Sequence, residues 1–209
     1  MLKSLVRGTA FLVIGLLINF SCPAQQDPKI DSLLHVLRIQ QEDTGRVNAL
    51  NNLSKQFLRS NKISDAKKYA QDALVLAQKI SFKKGAAAVH RNMGMIYTRE
   101  YNSSEARKNF FQLLKLSEEI GDKYEMAVAN NNIANSYFNE ANYGEALVYH
   151  FASLKIKKEI SDKPGIIMSY NNIGLVNWNR GNYPDAYKNY FAALKVREEI
   201  KDLKGVAHS

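Results

Sequence analysis

The chain has 209 residues, of which 45% are hydrophobic and 23% charged, and it contains one cysteine. A single cysteine excludes an intramolecular disulfide framework and any zinc site built on several cysteines. The net charge of +9 would suit an acidic partner, but basic residues and glutamates are interleaved along predicted helices, a pattern typical of solvated helix faces. Since no nucleic-acid-binding motif is present, we expect no nucleic-acid partner.

The first segment, 1–24, has the pattern of a secretory signal peptide. Lys3 and Arg7 precede an apolar run over 10–20, which is shorter than the ~20 residues that a membrane-spanning helix needs. The sequence predicts cleavage before Gln25, after a Cys-Pro-Ala site. We therefore expect an exported protein of the periplasm or cell envelope.

Two alternatives stay open for this segment. Ser21-Cys22 can be read as a lipoprotein box, which would anchor the mature chain through a lipid on Cys22. Asn19 and Pro23 are unusual residues for such a box. An uncleaved segment would instead act as a membrane anchor, so we expect membrane contact only through this segment or through a missing downstream one.

Residues 25–40 are predicted to form a leading helix that caps the helices after it. Pro28 and Asp31 suit the first turn of such a helix. Its apolar stripe consists of Leu33, Leu34 and Leu37.

From residue 41 the chain repeats itself every forty residues, four times. The units are repeat 1 (41–80), repeat 2 (81–120), repeat 3 (121–160) and repeat 4 (161–200). One aligned column is apolar and holds Leu53, Met93, Ile133 and Ile173. The next column is small and holds Ser54, Gly94, Ala134 and Gly174. A period of roughly 20–50 residues indicates an array of one supersecondary unit.

Each unit is predicted to form two antiparallel helices joined by a short polar turn. His90, Met93, Gly94 and Tyr97 show the 3.6-residue stripe of a first helix. The turns share an asparagine column, which the sequence places where tight geometry is needed; its members are Asn102, Asn142 and Asn182. The small residues of both helices are expected to let the paired helices approach closely.

The unit resembles the tetratricopeptide repeat, which has a large residue, a Leu-Gly pair, a tyrosine, an alanine and an aromatic residue at fixed offsets. Repeat 2 shows all of them, with His90, Met93-Gly94, Tyr97, Ala106 and Phe110. The resemblance covers 41–200 and implies an all-α, tetratricopeptide-type α-solenoid of stacked antiparallel helix pairs.

The unit also departs from that pattern. It has forty residues instead of 34, and Asn177 stands at the tyrosine position of repeat 4 with Trp178 beside it. The longer unit is similar to the arrays of kinesin light chains and of bacterial peptide-binding regulators. It is most similar to the extracytoplasmic sensor arrays of bacterial histidine kinases and regulators.

The best functional candidates are asparagines that recur in the first helices, on the face away from the core stripe. An asparagine side chain offers both a donor and an acceptor, and the resemblance implies that such a row binds the backbone of an extended peptide in a concave groove. The candidate groove residues are Asn51, Asn52, Arg91, Asn92, Asn131, Asn132, Asn135, Asn171, Asn172 and Trp178. The alternative is that the asparagines hold the stack together.

Other side chains of these helices are interpreted mainly as packing residues. Phe138 and Trp178 share a column at the groove edge, where they either pack or form a hydrophobic pocket with Leu58 and Thr98. The remaining aromatic residues at helical spacing are predicted to be core, namely Tyr97, Phe110, Tyr137, Tyr149, Tyr190 and Phe191.

Catalytic signals are missing from the sequence. The four histidines, His35, His90, His150 and His208, do not have metal-ligand spacing, and His90 and His150 lie in packing columns. No phosphate-binding glycine loop is present. We therefore expect a protein that is not an enzyme and that needs no cofactor or metal.

The last segment, 201–209, aligns with 161–169 and is predicted to begin a truncated fifth repeat. Three interpretations remain open. The chain is an exported scaffold that binds a peptide or protein segment, or the truncated sensor portion of a membrane signalling protein such as a histidine kinase, cyclase or transcriptional regulator. The third is a defective or truncated array with no independent function.

Overall fold

The structure, a computed structural model, describes residues 28–39 and 41–201, which form helices and no strand. Connections of two to four residues are too short for anything but antiparallel neighbours. The helices are α1 (Pro28–Ile39), α2 (Thr44–Arg59), α3 (Ile63–Lys79), α4 (Lys83–Arg99), α5 (Ser103–Ile120), α6 (Lys123–Asn139), α7 (Tyr143–Glu159), α8 (Lys163–Asn179) and α9 (Tyr183–Glu199). The predicted all-α stack of helix pairs is confirmed.

Each predicted repeat holds one pair of these helices, beginning with α2 and α3, and α1 packs on α2 ahead of them. Ile30 is almost fully buried in the first core cluster, and the predicted leucine stripe of α1 packs against the same cluster. The predicted signal segment lies outside the described residues, as does 202–209. No helix in the described ranges is both long enough and apolar enough to cross a bilayer.

Every helix from α2 onward ends in the same way, and these ends recur every twenty residues. The residue after each C-cap or at it has a left-handed backbone: Asn61, Ser81, Tyr101, Gly121, Ala141, Ser161, Gly181 and Lys201. After α2 to α8 the next N–H then returns to a carbonyl five residues back, as in Asn102 N to Tyr97 O at 2.9 Å, which satisfies an open carbonyl of the helix end.

The asparagine turn column has a different role from the predicted one. Asn102, Asn142 and Asn182 have ordinary negative φ angles, and the left-handed residue stands one position earlier. Each of these asparagines is the N-cap of the second helix in its repeat and accepts a hydrogen bond from the backbone N–H three residues later. Capping, rather than tight turn geometry, explains this column.

The two helices of each pair face each other through one residue column on each helix. Where the first-helix residue is small, its partner on the second helix is large, and the reverse also holds. A Cβ atom on Gly94 would lie 2.4 Å from the Phe110 ring, and one on Gly174 would lie 2.7 Å from the Tyr190 ring. The two other repeats place larger first-helix residues opposite smaller partners, with Ala134 and His150 in repeat 3 and Ser54 and Ala70 in repeat 1. The predicted role of the small residues is confirmed.

An exposed ion pair joins the first turn of each repeat to the end of its second helix. Repeats 2, 3 and 4 use a lysine in the first helix and a glutamate in the second: Lys83–Glu119 at 2.8 Å, Lys123–Glu159 at 2.9 Å and Lys163–Glu199 at 2.8 Å. Repeat 1 uses the opposite order, with Glu42 before the first helix and Lys79 in the second. The hydrogen bond from the lysine lowers the pKa of each glutamate.

Helix α7 buries two basic side chains. His150 is 1% exposed and Lys157 is 2% exposed. Burial lowers the pKa of His150 to about 4, and the neighbouring Lys157 charge adds to this effect. Burial also lowers the pKa of Lys157, against the attraction of Asp162, while its Nζ donates to Ser169 Oγ at 3.0 Å. His150 is therefore a buried core residue, as predicted.

One predicted core residue is wrongly placed. Phe191 is 66% exposed. The equivalent Phe111 of repeat 2 packs edge-on against Tyr149 of the next repeat. Phe151 of repeat 3 meets asparagine there instead and is 50% exposed, and no described helix follows α9 to cover Phe191. The prediction failed because it assigned core from spacing alone.

Candidate peptide-binding groove

The first helices α2, α4, α6 and α8 present an open face, which we call the groove face. It is formed by two columns that lie opposite the core stripe: Lys55, Met95, Asn135 and Leu175, then Arg59, Arg99, Asn139 and Asn179. Met95 and Leu175 are 49% and 44% exposed, and Lys55 is the one half-buried member. Two large apolar side chains thus stay open to solvent on a face that is otherwise polar.

Four of the candidate asparagines bind one another across the stack. Asn92 is fully buried, and its Nδ2 donates to Ser54 Oγ at 2.7 Å and to Asn51 Oδ1 at 3.2 Å. Ser54 in turn donates to the Ala66 carbonyl at 2.6 Å. In the second half of the stack, Asn172 Nδ2 donates to Asn131 Oδ1 at 2.9 Å. These contacts favour the stacking role for Asn51, Asn92, Asn131 and Asn172.

The prediction that the recurring asparagines of the first helices face the groove is therefore wrong for three of them, since Asn51, Asn92 and Asn131 are only 4%, 0% and 8% exposed. The helical wheel placed them away from the core of their own helix pair. It did not include the next first helix, which packs along that flank; α2 contacts α4 directly.

The middle of the stack has an ion pair in place of an amide pair. Arg91 occupies the column of Asn51 and Asn131, and its guanidinium binds Glu125 of α6 at 2.7 Å. Burial raises the pKa of Glu125, although Arg91 opposes this shift. The sequence did not point to Glu125, because it lies in the first turn of α6, outside the columns of recurring asparagines.

Because Arg91 stands where Asn51 and Asn131 stand in repeats 1 and 3, Asn132 has no asparagine partner. Its side chain makes no hydrogen bond to any described residue. Asn132 lines a cavity of 420 Å³ together with Met95, Thr98, Arg99, Tyr101 and Phe110. Among the described residues, Asn52, Asn135 and Asn171 also make no side-chain hydrogen bond. Four of the candidate asparagines therefore keep open amides, and two of these line cavities: Asn132 the cavity described above, and Asn52 a cavity of 540 Å³ between α1 and α2.

The charge on the groove face changes along the stack. Lys55, Arg59 and Arg99 lie in repeats 1 and 2, whereas repeats 3 and 4 place asparagines and Leu175 in the same columns. Burial lowers the pKa of Lys55, and the nearby Arg91 and Arg59 charges lower it further. Arg59 and Arg99 form no ion pair with a described residue. The face has a basic half and a neutral half.

The predicted edge residues lie in separate clusters. Trp178 is 47% exposed, and its ring meets Tyr183 and Tyr187 of α9 edge-on, with centroids 5.0 and 6.2 Å apart. Phe138 instead contacts Tyr143 of α7 at 5.8 Å. The described residues contain no group of three or more His, Cys, Asp or Glu side chains placed to hold a metal ion.

No protein-family model and no curated protein matches the sequence. Solved structures do match the fold. One is a signal transduction ATPase with numerous domains and a tetratricopeptide repeat sensor from Pyrococcus horikoshii, with a TM-score of 0.77 at 18% identity over 85% of this chain and 28% of that one. A second is a Rap protein complexed with competence and sporulation factor, with a TM-score of 0.73 at 18% identity over 83% of this chain and 49% of that one.

A third is the tetratricopeptide repeat domain of Arabidopsis FLU, with a TM-score of 0.53 at 26% identity over 56% of this chain and 98% of that one. This chain thus spans well under two thirds of the first two proteins. Together with the four stacked pairs, these likenesses establish a tetratricopeptide-type α-solenoid.

Proposed function

We propose that this tetratricopeptide-type solenoid is an exported scaffold that binds an extended peptide or protein segment along its groove face. The observation that carries the proposal is the open amide of Asn132 beside the 420 Å³ cavity, flanked by exposed Met95 and by Arg99. An amide donor and acceptor next to an apolar wall suits a peptide backbone with one anchored side chain. The Rap protein solved with competence and sporulation factor supports a ligand-binding use of this fold.

The charge pattern of the groove face would orient the bound segment. Arg59 and Arg99 favour acidic side chains at the repeat 1 and 2 end, while Met168 and Leu175, both exposed, favour apolar side chains at the repeat 4 end. Charged groups at an interface select partner and register more than they add affinity. We therefore propose a ligand with an acidic part and an apolar part. We propose no catalytic step.

The test uses a peptide selected from a display library on the full chain and titrated by calorimetry. Replacing Asn132→Ala together with Asn135→Ala should weaken binding by roughly five- to a hundred-fold, because each lost hydrogen bond costs ~0.5–1.5 kcal/mol. Stability should stay nearly unchanged, since neither side chain bonds to a described residue.

The matched control is Asn92→Ala. This variant should lower stability by about 1–3 kcal/mol, because Asn51 and Ser54 lose their buried partner, and it should bind the peptide normally whenever it is folded. If the Asn132 and Asn135 variant binds as tightly as the unchanged chain, the groove proposal is wrong.

Export is proposed from 1–24 and is tested separately. N-terminal sequencing of the native protein should begin at Gln25. A lipid-modified Cys22 at the terminus would make the protein a lipoprotein, and an intact Met1 would contradict cleavage.

The Pyrococcus neighbour, which carries a tetratricopeptide repeat sensor within a longer chain, supports a second candidate function. In this alternative the chain is the sensor portion of a membrane signalling protein. The genomic sequence after Ser209 distinguishes the two. An in-frame continuation into an apolar run of ~20 residues would favour the sensor, and a stop codon would favour the scaffold.

A further inference from the structure

Repeat 4 joins the stack differently from repeats 2 and 3. We call the contact between consecutive repeats a junction. At junction 2–3, Arg107 of α5 lies over the Tyr137 ring at 4.4 Å and binds Glu140 at 2.8 Å. At junction 1–2, Lys67, Tyr97 and Glu100 make the same contacts, at 4.7 and 2.6 Å.

Junction 3–4 has lost all three partners of this arrangement. The equivalent residues are Leu147, Asn177 and Arg180, which can form neither the cation–ring contact nor the ion pair. Asn177 donates to its own helix, to the Ile173 carbonyl at 3.0 Å.

An aromatic contact that repeats 1 and 3 make between their own two helices is also absent from repeat 4. Repeat 3 stacks Tyr137 on Tyr149 with centroids 5.7 Å apart, and repeat 1 stacks the equivalent Phe57 on Tyr69 at 5.3 Å. Repeat 4 has asparagine in both columns. Asn189, like Asn177, turns back to its own helix and donates to the Asp185 carbonyl at 2.7 Å. Repeat 2 also has an asparagine in this column, Asn109, but keeps Tyr97 in the other, so that only repeat 4 has lost both rings.

The space left by these rings is a cavity of 440 Å³ between α7, α8 and α9. It lies on the side of α8 that carries Tyr170 and Asn177, opposite to the groove residue Leu175. Leu147, Phe151 and Leu154 of α7 form its apolar wall. Its volume is within the range of ~300–1,000 Å³ that is usual for small-molecule sites.

The polar side of the cavity is basic. Lys158, Arg180 and Lys188 line it, with Asp185 as the one carboxylate. Asp185 already accepts a hydrogen bond from Asn182 at 2.7 Å, and Lys158 lies over the Tyr170 ring at 5.1 Å. Neither Arg180 nor Lys188 forms an ion pair with a described residue. The Arg180 guanidinium is therefore available to bind a carboxylate, which arginine contacts through two parallel hydrogen bonds.

We propose that this cavity is a second binding site, separate from the groove, for a molecule that carries a carboxylate next to an apolar body. The apolar body lies against the α7 wall and the carboxylate binds Arg180 and Lys188. Two sources share this chemistry, a free carboxylic acid and the C-terminus of a peptide that ends in apolar residues.

The experiment titrates the full chain with matched acid and amide probes, namely octanoate against octanamide, and acetyl-Leu-Leu-Phe acid against its C-terminal amide. At least one acid should bind about tenfold more tightly than its amide, because the amide cannot accept the bidentate arginine contact. The acid that binds more tightly identifies the source. No binding of either acid at about 5 mM, a concentration that detects even very weak sites, or equal affinity for acid and amide, overturns the proposal.

Two variants localise the site. Asn177→Tyr with Asn189→Tyr restores the residues of repeat 3, fills the cavity and should abolish binding of the acid. Arg180→Glu restores the residue of repeats 2 and 3 and should remove the preference for acid over amide. Lys108→Glu changes the net charge equally at an exposed site on α5 and should bind normally. Unchanged acid binding by both cavity variants overturns the proposal, whatever the outcome of the groove experiment.

Discussion

Junctions 2–3 and 3–4 join helices of nearly equal length, 17 or 18 residues, through different chemistry. At junction 2–3, Arg107 of repeat 2 lies above the Tyr137 ring and pairs with Glu140, while Tyr137 stacks on Tyr149 within repeat 3. Junction 3–4 has asparagines that bond only to their own helices, a 440 Å³ cavity and the buried Lys157. Because the helix pairs are the same, the difference shows that a few column positions decide whether a junction is closed or open.

Giving junction 2–3 the asparagine of junction 3–4 should change the free energy of unfolding the most. Tyr137→Asn removes a half-buried ring that packs on Tyr149 and under Arg107. We expect a loss of about 3 kcal/mol in the free energy of unfolding, at the lower end of the losses seen for large aromatic truncations. Urea unfolding followed by circular dichroism measures it. A loss below about 0.5 kcal/mol, the usual size of a surface substitution effect, would mean that the ring does not close the junction.

The next effect depends on pH and concerns His150 on α7. Its folded-state pKa of about 4 lies below the ordinary histidine value of 6.5, so the unfolded chain binds more protons between these pH values. Its contribution to stability is thus complete above pH 6.5 and is lost as the pH falls toward 4, by about 3 kcal/mol in all. Unfolding curves at a series of pH values measure this slope.

The control for His150 is the pair that repeat 2 uses in the same two columns. Ala134→Gly with His150→Phe reproduces Gly94 and Phe110, so that the ring has room. This variant should lose most of the slope between pH 6.5 and 4. An unchanged slope would assign the pH dependence to other groups.

Closing junction 3–4 should have a smaller, stabilising effect. Asn177→Tyr with Asn189→Tyr fills the cavity with the ring pair of repeat 3, and cavity filling commonly adds about 0.5–2 kcal/mol. Thermal unfolding of the double variant, beside each single variant, measures the gain. A loss of stability would show that junction 3–4 cannot hold the rings and differs in backbone as well as in side chains.

The smallest effect is expected from the ion pair. Leu147→Arg with Arg180→Glu restores the charges of junction 2–3, where the paired side chains are 19% and 39% exposed. Such a pair contributes only ~0.2–1 kcal/mol and is weakened by salt. A double-mutant cycle at low and high salt measures the coupling, which should grow when Asn177→Tyr supplies a ring beneath the introduced guanidinium.

The sequence predicts the architecture well because each helix and its turn occupy twenty residues, so that spacing alone places the helix pairs. It predicts the groove less well. A helical-wheel projection of α4 places Asn92 away from the core between α4 and α5, yet Asn92 is buried against α2. Contacts between helices forty residues apart in sequence decide this, and the periodicity of one helix does not contain them.

The cavity at junction 3–4 was partly visible in the sequence. Asn177 stands out in an aromatic column, but one asparagine is equally compatible with a packed side chain. Its effect depends on Asn189 and Leu147, which lie in two other helices and must change with it. Only the structure brings these three positions to one place.

The reversed ion pair of repeat 1 bears on how the stack avoids mispairing as it forms. If α2 paired with the second helix of another repeat, Glu42 would face Glu119, Glu159 or Glu199, and Lys79 would meet another lysine. Exposed pairs of this kind add little to the final fold, but replacing attraction by repulsion discriminates between partners. Repeats 2 to 4 share one charge order and remain interchangeable by this criterion. The two helices of repeat 1 are electrostatically matched only to each other. This difference sets the N-terminal repeat apart from the other three as the stack forms.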